Sequence, residues 1–306
     1  MAQAVQFPSR AAIVATAHEA IARGSQSFGA ASRLLGCATR ERAWLLYAWC
    51  RRCDDLADGQ DHGHGSAPIA DAGARLATIR TCTEAALGAP QQWIGDPAFD
   101  ALRIVVHETA IPHRFVRDLV EGFALDAAGW RPADEADLLR YCYHVAGVVG
   151  CMMAVMMGVD PRDDATLDRA CDLGIAFQLG NIVRDLAADA DAGRCYVPAD
   201  WLALGLSRVE VAKRLADRAE AYAASARAGT RMLSFASAWA VLAAAGIYGD
   251  IARRVVARGD RAWLWRVRVP AWSKLGWIVR AWVQALGRRR LYPETPRSGL
   301  WTRPKE

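Results

Sequence analysis

Apolar residues recur along this chain at the three- and four-residue spacing of amphipathic helices, and the alternating pattern of strands is nearly absent. Glycine and proline clusters separate the periodic segments, as expected where helices end and turns begin. No long polar linker or internal repeat interrupts the pattern, so we expect one large all-α domain. The pattern predicts ten helices, at 11–23, 39–58, 68–87, 98–110, 113–126, 134–157, 163–191, 207–228, 231–258 and 271–287.

Around this helical domain, which we place at residues 11–290, we expect a flexible arm at 1–10 and a C-terminal tail at 291–306. The composition agrees with helices, because alanine, leucine and arginine are abundant and 53% of the 306 residues are hydrophobic. No window of 18 consecutive uncharged apolar residues occurs, so we expect no transmembrane span. The first 24 residues lack the apolar core and cleavage site of a signal peptide. We therefore expect a cytoplasmic protein whose eight cysteines are thiols.

Two acidic clusters, about 130 residues apart, follow long apolar helical segments. The first contains Asp54 and Asp58, and the second contains Asp185 and Asp189. At a rise of ~1.5 Å per residue, each pair lies on one helical face with its members roughly 6 Å apart. Like charges at this spacing weaken an isolated helix by a few tenths of a kcal/mol. Their double occurrence indicates a function for concentrated negative charge, and hard divalent cations such as Mg²⁺ are the ligands that fit.

Arginines lie beside both acidic clusters. A diphosphate bridged by Mg²⁺ accounts best for this combination, because the cation neutralises carboxylate and phosphate together while arginines contact the remaining oxygens. Arg51, one turn before Asp54, fits an intrahelical ion pair as well as a phosphate contact.

Segment 134–157 is apolar on almost every face and contains Gly147 and Gly150, three residues apart. A glycine in a helix interior costs ~1 kcal/mol relative to alanine, so the pair needs an explanation. Close packing of a neighbouring helix and room for a long apolar ligand are both compatible with it.

Charge is distributed unevenly towards the C-terminus. Residues 251–290 hold ten arginines and one lysine against Asp260 alone, a net charge of +10 in a chain of net +5. Five of the twelve tryptophans fall in the same stretch. Basic residues interleaved with tryptophan are typical of a surface that binds an anionic membrane. A solvated basic face is the alternative, and no nucleic-acid-binding motif accompanies the charge, so we expect no nucleic acid partner.

Several motifs together resemble bacterial phytoene synthases of the squalene/phytoene synthase family of head-to-head prenyl transferases. The resemblance lies in residues 46–51 leading into the first acidic cluster, and in residues 181–189 leading into 193–198. The ending, residues 300–304, is similar to the bacterial carotenoid enzymes in particular. Weaker matches are residues 24–28, 141–150 and 247–248, so that the resemblance covers about 18 to 304.

This resemblance implies the all-α isoprenoid synthase fold, with the two aspartate-bearing helices facing each other across a central cavity. Carried over by position, the ligands of Mg²⁺, or of Mn²⁺, would be Asp54, Asp58, Asn181, Asp185 and Asp189. Diphosphate would be bound by Ser25, Ser27, Arg51, Arg184 and Arg266. The catalytic residues at the reacting centre would be Tyr143, Tyr248, Gln178 and Arg51. The apolar cavity would be lined by Phe28, Val145, Ala146, Gly147 and Gly150. One departure is His144, where relatives often carry tyrosine or glycine.

The implied reaction joins two molecules of geranylgeranyl diphosphate through prephytoene diphosphate to 15-cis-phytoene, the first step of carotenoid biosynthesis, and needs no NADPH. Alternatives within the fold are squalene or dehydrosqualene synthases that use farnesyl diphosphate. A non-catalytic helical assembly protein is the other alternative, and the two intact aspartate pairs count against it. Since the expected product is a water-insoluble hydrocarbon, we also expect peripheral association with the inner membrane.

Overall fold

The computed structural model describes residues 8–24, 26–58, 72–90 and 92–305, apart from the side chains of residues 26, 27, 30 and 58. Helices make up the regular structure of these residues, and no strand occurs among them. The chain divides into two compact units, Met1–Ala127 and Ala128–Glu306. The domain limits expected from the sequence remain a prediction.

The described part of the N-terminal unit is built around one long helix, α3, which packs against α1 and α5. Its buried face carries Leu45, Leu46 and Trp49, all at most 2% exposed. Asp96 begins α5 by accepting a hydrogen bond from the Ala98 amide, and Pro97 occupies the first turn, where no amide donor is needed. The helices of this unit are α1 (Arg10–Gly24), α2 (Gln26–Ser32), α3 (Cys37–Asp58), α4 (Ala72–Leu87), α5 (Pro97–Glu108) and α6 (His113–Ala127).

The C-terminal unit surrounds a 28-residue helix, α9, which packs against α8, α11 and α12. Side-chain caps start several of its helices, among them a reciprocal capping box between Ser207 and Glu210. Its α-helices are α7 (Glu135–Cys142), α8 (Val148–Met156), α9 (Asp164–Asp191), α10 (Ala199–Ala203), α11 (Arg208–Gly229), α12 (Phe235–Arg258) and α13 (Ala271–Leu291). A π-helix (Tyr143–Gly147) and two 3₁₀ turns (Thr230–Met232 and Gly259–Trp263) complete it.

Each of the ten predicted helices has a counterpart, and the described ends differ from the predicted ones by at most four residues. The predicted start of the third, residues 68–71, lies outside the described residues. The sequence pattern missed α2 and α10, which are too short to show a period, and it missed the π-helix that interrupts the segment predicted at 134–157.

The glycines of this segment lie where helices approach each other closely. A Cβ atom on Gly150 would come within 2.2 Å of the Ala170 carbonyl oxygen, and one on Gly147 within 2.8 Å of Cys171 Sγ. From the other side, a Cβ on Gly174 of α9 would lie 2.1 Å from the Ala146 carbonyl oxygen. Close helix packing therefore accounts for these glycines, and their role as cavity residues stays a prediction.

The C-terminal tail packs against the N-terminal half of α9. Arg297 donates two hydrogen bonds to Asp172, at 2.8 and 2.7 Å, and Asp172 is fully buried. The buried Arg303 pairs with Asp168 at 2.9 Å and also contacts Asp164. The tail therefore clamps the helix that carries the second acidic cluster.

Two stretches of the described chain, Glu135–Met156 and Phe235–Trp263, are long and apolar enough to cross a membrane. Of their most apolar windows, 61% and 50% respectively is buried inside the protein. Core helices of soluble proteins meet the same criterion, so length and composition alone do not indicate a membrane span here.

Candidate active site

The first acidic cluster ends α3, and its arginine is held by an aspartate that the sequence analysis did not select. Arg51 donates from Nε and Nη2 to Asp55 Oδ1, at 3.0 and 2.7 Å. Its Nη1 lies 3.7 Å from Oδ2 of Asp54, whose side chain is 49% exposed. The 51/55 spacing of i,i+4 is the sequence signal that points to this pair. Asp55 thus fixes Arg51, while Asp54 presents its carboxylate towards solvent.

Tyr47 lies one turn before Arg51 and closes the site on the side of α1. A Cβ on Gly24 would come within 2.3 Å of the Tyr47 hydroxyl oxygen, so the glycine makes room for the phenol. Burial raises the pKa of Tyr47 to about 12, although the nearby Arg51 opposes the shift. The ring of Phe28 lies 5.7 Å from that of Tyr47. Sequence analysis had assigned Phe28 to the apolar cavity and had overlooked Tyr47.

Three predicted site residues of the N-terminal unit lie partly or wholly outside the described residues. Ser25 falls outside the described residues, and only the backbone of Ser27 and Asp58 is described. Their roles in diphosphate and metal binding remain predictions.

The second acidic cluster occupies one face of α9. Asn181, Asp185 and Asp189 follow each other at four-residue intervals, which places their oxygens along one side of the helix. Gln178, one turn earlier, accepts a hydrogen bond of 3.4 Å from the Asn181 amide nitrogen. The structure thus groups four of the predicted residues in a half-buried row.

Arginines surround this row. Arg184 donates to Asp185 through two N–H groups, one of them at 2.9 Å, and Arg266 Nη2 donates to the same carboxylate at 3.3 Å. Burial is the largest single influence and lowers the pKa of Arg184, but the hydrogen bonds to Asp185 and the negative charges nearby together outweigh it, so the pKa is raised. Both arginines therefore lie beside Asp185, and their role in diphosphate binding remains a prediction.

A third arginine, missed by the sequence analysis, reaches Asp189. Gly193 adopts a φ of 75°, which L-residues with side chains rarely take, and the chain folds back after α9. The Arg194 amide donates to the Asp189 carbonyl at 2.8 Å, and Arg194 Nε lies 3.5 Å from Asp189 Oδ1. Burial is the main reason why the pKa of Asp189 is raised. The Gly-Arg dipeptide directly after the helix is the sequence signal for this contact.

The segment that carries Arg266 is anchored to α9 by a tryptophan. Trp263 Nε1 donates to the Val183 carbonyl at 3.2 Å. Because Val183 lies on the helix between Asn181 and Asp185, this bond keeps the 3₁₀ turn beside the acidic row.

The two predicted tyrosines occupy different surroundings. Tyr248 on α12 stacks on Phe177, with ring centroids 4.2 Å apart, and burial raises its pKa. Tyr143 begins the π-helix, is 1% exposed and packs 5.4 Å from the ring of Trp301 in the tail. π-Helical turns are frequent at functional sites. Val145 and Ala146, in the same turn, are half-buried.

The donor chemistry of the row on α9 fits a hard divalent cation. Within the described side chains, no three His, Cys, Asp or Glu residues converge on one point. Mg²⁺ usually takes one or two carboxylates and completes its shell with water and substrate phosphate, so a site of this kind does not need three acidic side chains. Asp185, Asp189 and the amide oxygen of Asn181 supply suitable oxygens, and the arginines around them suit an anionic substrate.

Proteins similar in sequence to this chain include several bacterial phytoene synthases. A phytoene synthase of Pseudescherichia vulneris is 45% identical, over 94% of this chain and 97% of that protein. A 15-cis-phytoene synthase of Paracoccus sp. (strain N81106) is 44% identical, over 95% and 98% respectively. The 15-cis-phytoene synthase of Enterobacter agglomerans is 44% identical, over 92% and 99%.

Solved structures agree on the fold. A dehydrosqualene synthase in complex with a ligand superposes with a TM-score of 0.76 at 25% identity, over 89% of this chain and 96% of that one. A squalene synthase from Alicyclobacillus acidocaldarius does so with a TM-score of 0.70 at 22% identity, over 81% and 94%. The predicted all-α isoprenoid synthase fold is therefore confirmed, whereas the central cavity between the aspartate helices remains a prediction.

The family model described as squalene/phytoene synthase matches residues 21–273, which is most of the chain. Together with relatives that match almost from end to end, this confirms the resemblance found in the sequence. The chain belongs to the squalene/phytoene synthase family.

Proposed function

We propose that the protein is a prenyltransferase that joins two molecules of geranylgeranyl diphosphate head to head and releases 15-cis-phytoene. In the first condensation the allylic C–O bond of one molecule breaks and pyrophosphate leaves. The double bond of the second molecule attacks the resulting cation, and loss of a proton closes the cyclopropane ring of prephytoene diphosphate. The second ionisation expels the other pyrophosphate, and rearrangement with loss of a proton gives the C40 product. The observation that carries this proposal is the 44–45% identity to bacterial phytoene synthases over more than nine-tenths of the chain.

The metal of the proposed reaction is Mg²⁺, with Mn²⁺ as the alternative. Asn181, Asp185 and Asp189 would hold it in the C-terminal unit, and Asp54 and Asp58 in the N-terminal unit. Bound there, the cation supplies positive charge that stabilises the leaving diphosphate.

The arginines of the second cluster act as diphosphate donors in this proposal. Arg184 and Arg266 now neutralise Asp185. If a bound cation neutralises the Asp185 carboxylate instead, both guanidinium groups can turn to phosphate oxygens. Arginine forms strong charge-assisted hydrogen bonds with such oxygens. Arg51 differs in its partner: it is hydrogen-bonded to Asp55, which is not a proposed metal ligand, and its Nη1 lies near Asp54 of the first cluster. The two halves would therefore bind diphosphate with differently anchored arginines.

The carbocations of such a reaction need an environment without water. The apolar segment 143–150 and the aromatic residues Phe28, Phe177 and Tyr248 would provide it. Because burial raises the pKa of Tyr248, its hydroxyl stays protonated at neutral pH and serves as a neutral polar group. We propose that Tyr143 and Gln178 position the reacting chains beside it.

The deciding experiment offers purified protein C20 or C15 diphosphate with Mg²⁺ and without a reductant. We expect 15-cis-phytoene from geranylgeranyl diphosphate, two pyrophosphates per product, no effect of added NADPH and loss of turnover with EDTA. Mass spectrometry of the extracted hydrocarbon distinguishes the outcomes. A C30 product alone would mean a dehydrosqualene- or squalene-type enzyme, which the structural similarity to a dehydrosqualene synthase makes the competing candidate. No product from either diphosphate would favour the non-catalytic alternative.

We further propose that the protein is cytoplasmic and binds the inner membrane peripherally. A C40 hydrocarbon is insoluble in water and has to leave for an apolar phase. The net charge of +10 over residues 251–290 supports attraction to anionic lipids, which salt should weaken.

A further inference from the structure

Exposed apolar side chains are concentrated in one part of the molecule. Twelve large hydrophobic side chains are exposed among the described residues, and nine of them lie between residues 264 and 291. These nine are Leu264, Trp265, Trp272, Leu275, Val279, Trp282, Val283, Leu286 and Leu291. Where such side chains share one surface, unlike scattered single residues, they mark an interaction site.

Six of the nine form a stripe along α13. At about 100° per residue, positions 272, 275, 279, 282, 283 and 286 fall within an arc about 100° wide, the width of a helix face that packs against something. The opposite face carries Ala281 and Ala285, both fully buried, and packs on α12. The helix is thus apolar on two faces, and α12 covers one of them.

The outer stripe is a fixed surface, because α13 is anchored at several points along its inner face. Trp277 lies so close to α12 that a Cβ on Gly246 would come within 2.3 Å of its ring. Trp239 Nε1 donates to the Ile278 carbonyl at 2.8 Å, and Ser273 donates to Asp250 at 2.8 Å. The stripe is therefore pre-organised.

The charges beside the stripe are basic. The sequence of α13 contains four arginines and one lysine and no acidic residue. Arg280, Arg289 and Arg290 are exposed, whereas Arg288 donates to the Thr230 and Leu233 carbonyls. Two tryptophans of the stripe, Trp272 and Trp282, are the side chains that prefer the interface between headgroups and acyl chains.

We infer that the outer face of α13 docks the protein on an anionic lipid bilayer. The helix lies in the plane of the interface with its stripe ~5–10 Å below the headgroups and its arginines among the phosphates. A second copy of the chain fits less well, because two such basic helices repel each other. Nucleic acid would use the arginines but leave the apolar stripe in water. This inference rests on the proposed function in one respect: docking on a membrane would serve the release of a hydrocarbon product.

The test is flotation of the whole protein with vesicles, without substrate. The wild type should float with vesicles of phosphatidylglycerol and phosphatidylcholine at low salt, and less with phosphatidylcholine alone or at high salt. The variant Trp272→Ser/Leu275→Ser/Val279→Ser, altered at side chains that are 73%, 63% and 58% exposed, should bind at least about tenfold more weakly. The matched control is Leu202→Ser/Leu204→Ser/Met232→Ser, whose side chains are 52%, 67% and 67% exposed elsewhere in the same unit. It should bind like the wild type.

A second variant keeps the test valid if the first does not fold. Arg289→Ser/Arg290→Ser changes only exposed side chains and should weaken binding about 25-fold at low salt, roughly fivefold per arginine. Unchanged flotation of either variant would overturn the inference. The inference would also be overturned if the wild type did not bind vesicles and sedimented as a dimer while the stripe variant sedimented as a monomer. The face would then join two copies of the chain.

Turnover of geranylgeranyl diphosphate in detergent micelles separates this inference from the proposed function. The stripe variant should retain it, because none of its three residues belongs to the candidate site. Loss of flotation with retained turnover supports the docking face. Wild-type protein that floats without forming phytoene would leave the docking face standing and refute the proposed reaction.

Discussion

Helix α9 carries two aspartate series at the same four-residue spacing, and they occupy opposite ends of it. Near its start, Asp164, Asp168 and Asp172 pair with arginines of the C-terminal tail. Near its end, Asp185 pairs with the adjacent Arg184 and with Arg266, which follows α12, and Asp189 pairs with Arg194 just after the helix. The first series becomes more buried along the helix, from 45% exposed at Asp164 to 0% at Asp172. The second stays half-buried along its length.

This difference separates a structural acidic series from the one proposed to bind metal. In the first series, the C-terminal tail supplies buried arginines, and breaking such ion pairs lowers the free energy of unfolding. In the second, the aspartates lie in a row with Asn181, and one of their arginines, Arg266, is 61% exposed and can leave. Spacing alone therefore does not identify a metal site; the origin and burial of the arginine partners distinguish the two.

The largest expected effect is on catalysis at the second series. Asp185→Ala should lower turnover of geranylgeranyl diphosphate about 10³-fold, because it removes a metal ligand and a charge that positions two arginines. The unfolding free energy should fall by only about 2 kcal/mol, because the part-buried Arg184 loses its main partner. Initial rates with radiolabelled substrate, with thermal unfolding alongside, measure both. Asp191→Ala, an exposed aspartate of the same helix, is the control and should keep full activity. An Asp185→Ala enzyme with normal turnover would show that the row is not the metal site.

The corresponding change in the first series should act on stability. Arg297→Ala leaves the Asp172 carboxylate fully buried with a hydrogen bond from the Ser225 hydroxyl but without its arginine, and should cost about 3–5 kcal/mol of unfolding free energy. Burial already raises the pKa of Asp172. A raised carboxyl pKa disfavours the folded state above the unfolded pKa of ~3.9, so the deficit should be full at pH 7 and shrink as the pH falls towards 4.

Urea denaturation of Arg297→Ala at several pH values provides the measurement. Replacing both partners, with Asp172→Leu/Arg297→Met, should recover most of the lost stability because no unpaired buried charge remains. If Arg297→Ala lost turnover but not stability, the proposed contrast between the two series would be contradicted.

A smaller effect is expected at α3, where Arg51 contacts both Asp55 and Asp54, the second of which is a proposed metal ligand. Asp55→Ala should lower the unfolding free energy by about 2 kcal/mol, because it removes the main partner of the part-buried Arg51. The KM for the diphosphate should rise as Arg51 loses its position. A double-mutant cycle with Arg51→Ala measures the coupling, and a value near zero would mean that Asp55 does not hold Arg51.

The smallest effect concerns the exposed arginine of the second series. Arg266→Ala should raise the KM for geranylgeranyl diphosphate about tenfold and leave the unfolding free energy nearly unchanged, since exposed ion pairs contribute about 0–1 kcal/mol. Steady-state kinetics at two ionic strengths measure this effect. Arg268→Ala, two residues further and also exposed, is the matched control. Equal KM changes in both variants would indicate general attraction rather than a contact at Asp185.

The sequence predicted the regular helices well, because their apolar periodicity and capping residues are local signals. Ser207 and Glu210, for example, mark the start of α11 and form a reciprocal cap. The π-helix at Tyr143–Gly147 was not predictable in this way. In this turn the Ala146 carbonyl lies against Gly174 of α9, and such a contact between residues distant in sequence leaves no local signal.

At the candidate site, the sequence identified the row on α9 and the flanking Arg184, since these residues lie within a few turns of one helix. It missed Asp55, Tyr47 and Arg194. Asp55 and Arg194 have local signals, the i,i+4 spacing to Arg51 and the position directly after α9. Tyr47 has none, because its hydroxyl meets Gly24 only in the folded chain. For Gly150, the sequence left packing and ligand space open, and the contact with Ala170 accounts for it by packing.

The sequence by itself determined the helical class, the two aspartate pairs and the family, because helix periodicity, i,i+4 spacing and motif order are properties of the chain. Only the tertiary structure decided which charges are paired. Asp172 and Asp185 are indistinguishable as aspartates on one helix, yet the tail buries the first against Arg297, while the second lies in a half-buried row with the exposed Arg266. The physical reason is that an ion pair depends on burial and on partners brought from far along the chain, and neither is written in local spacing.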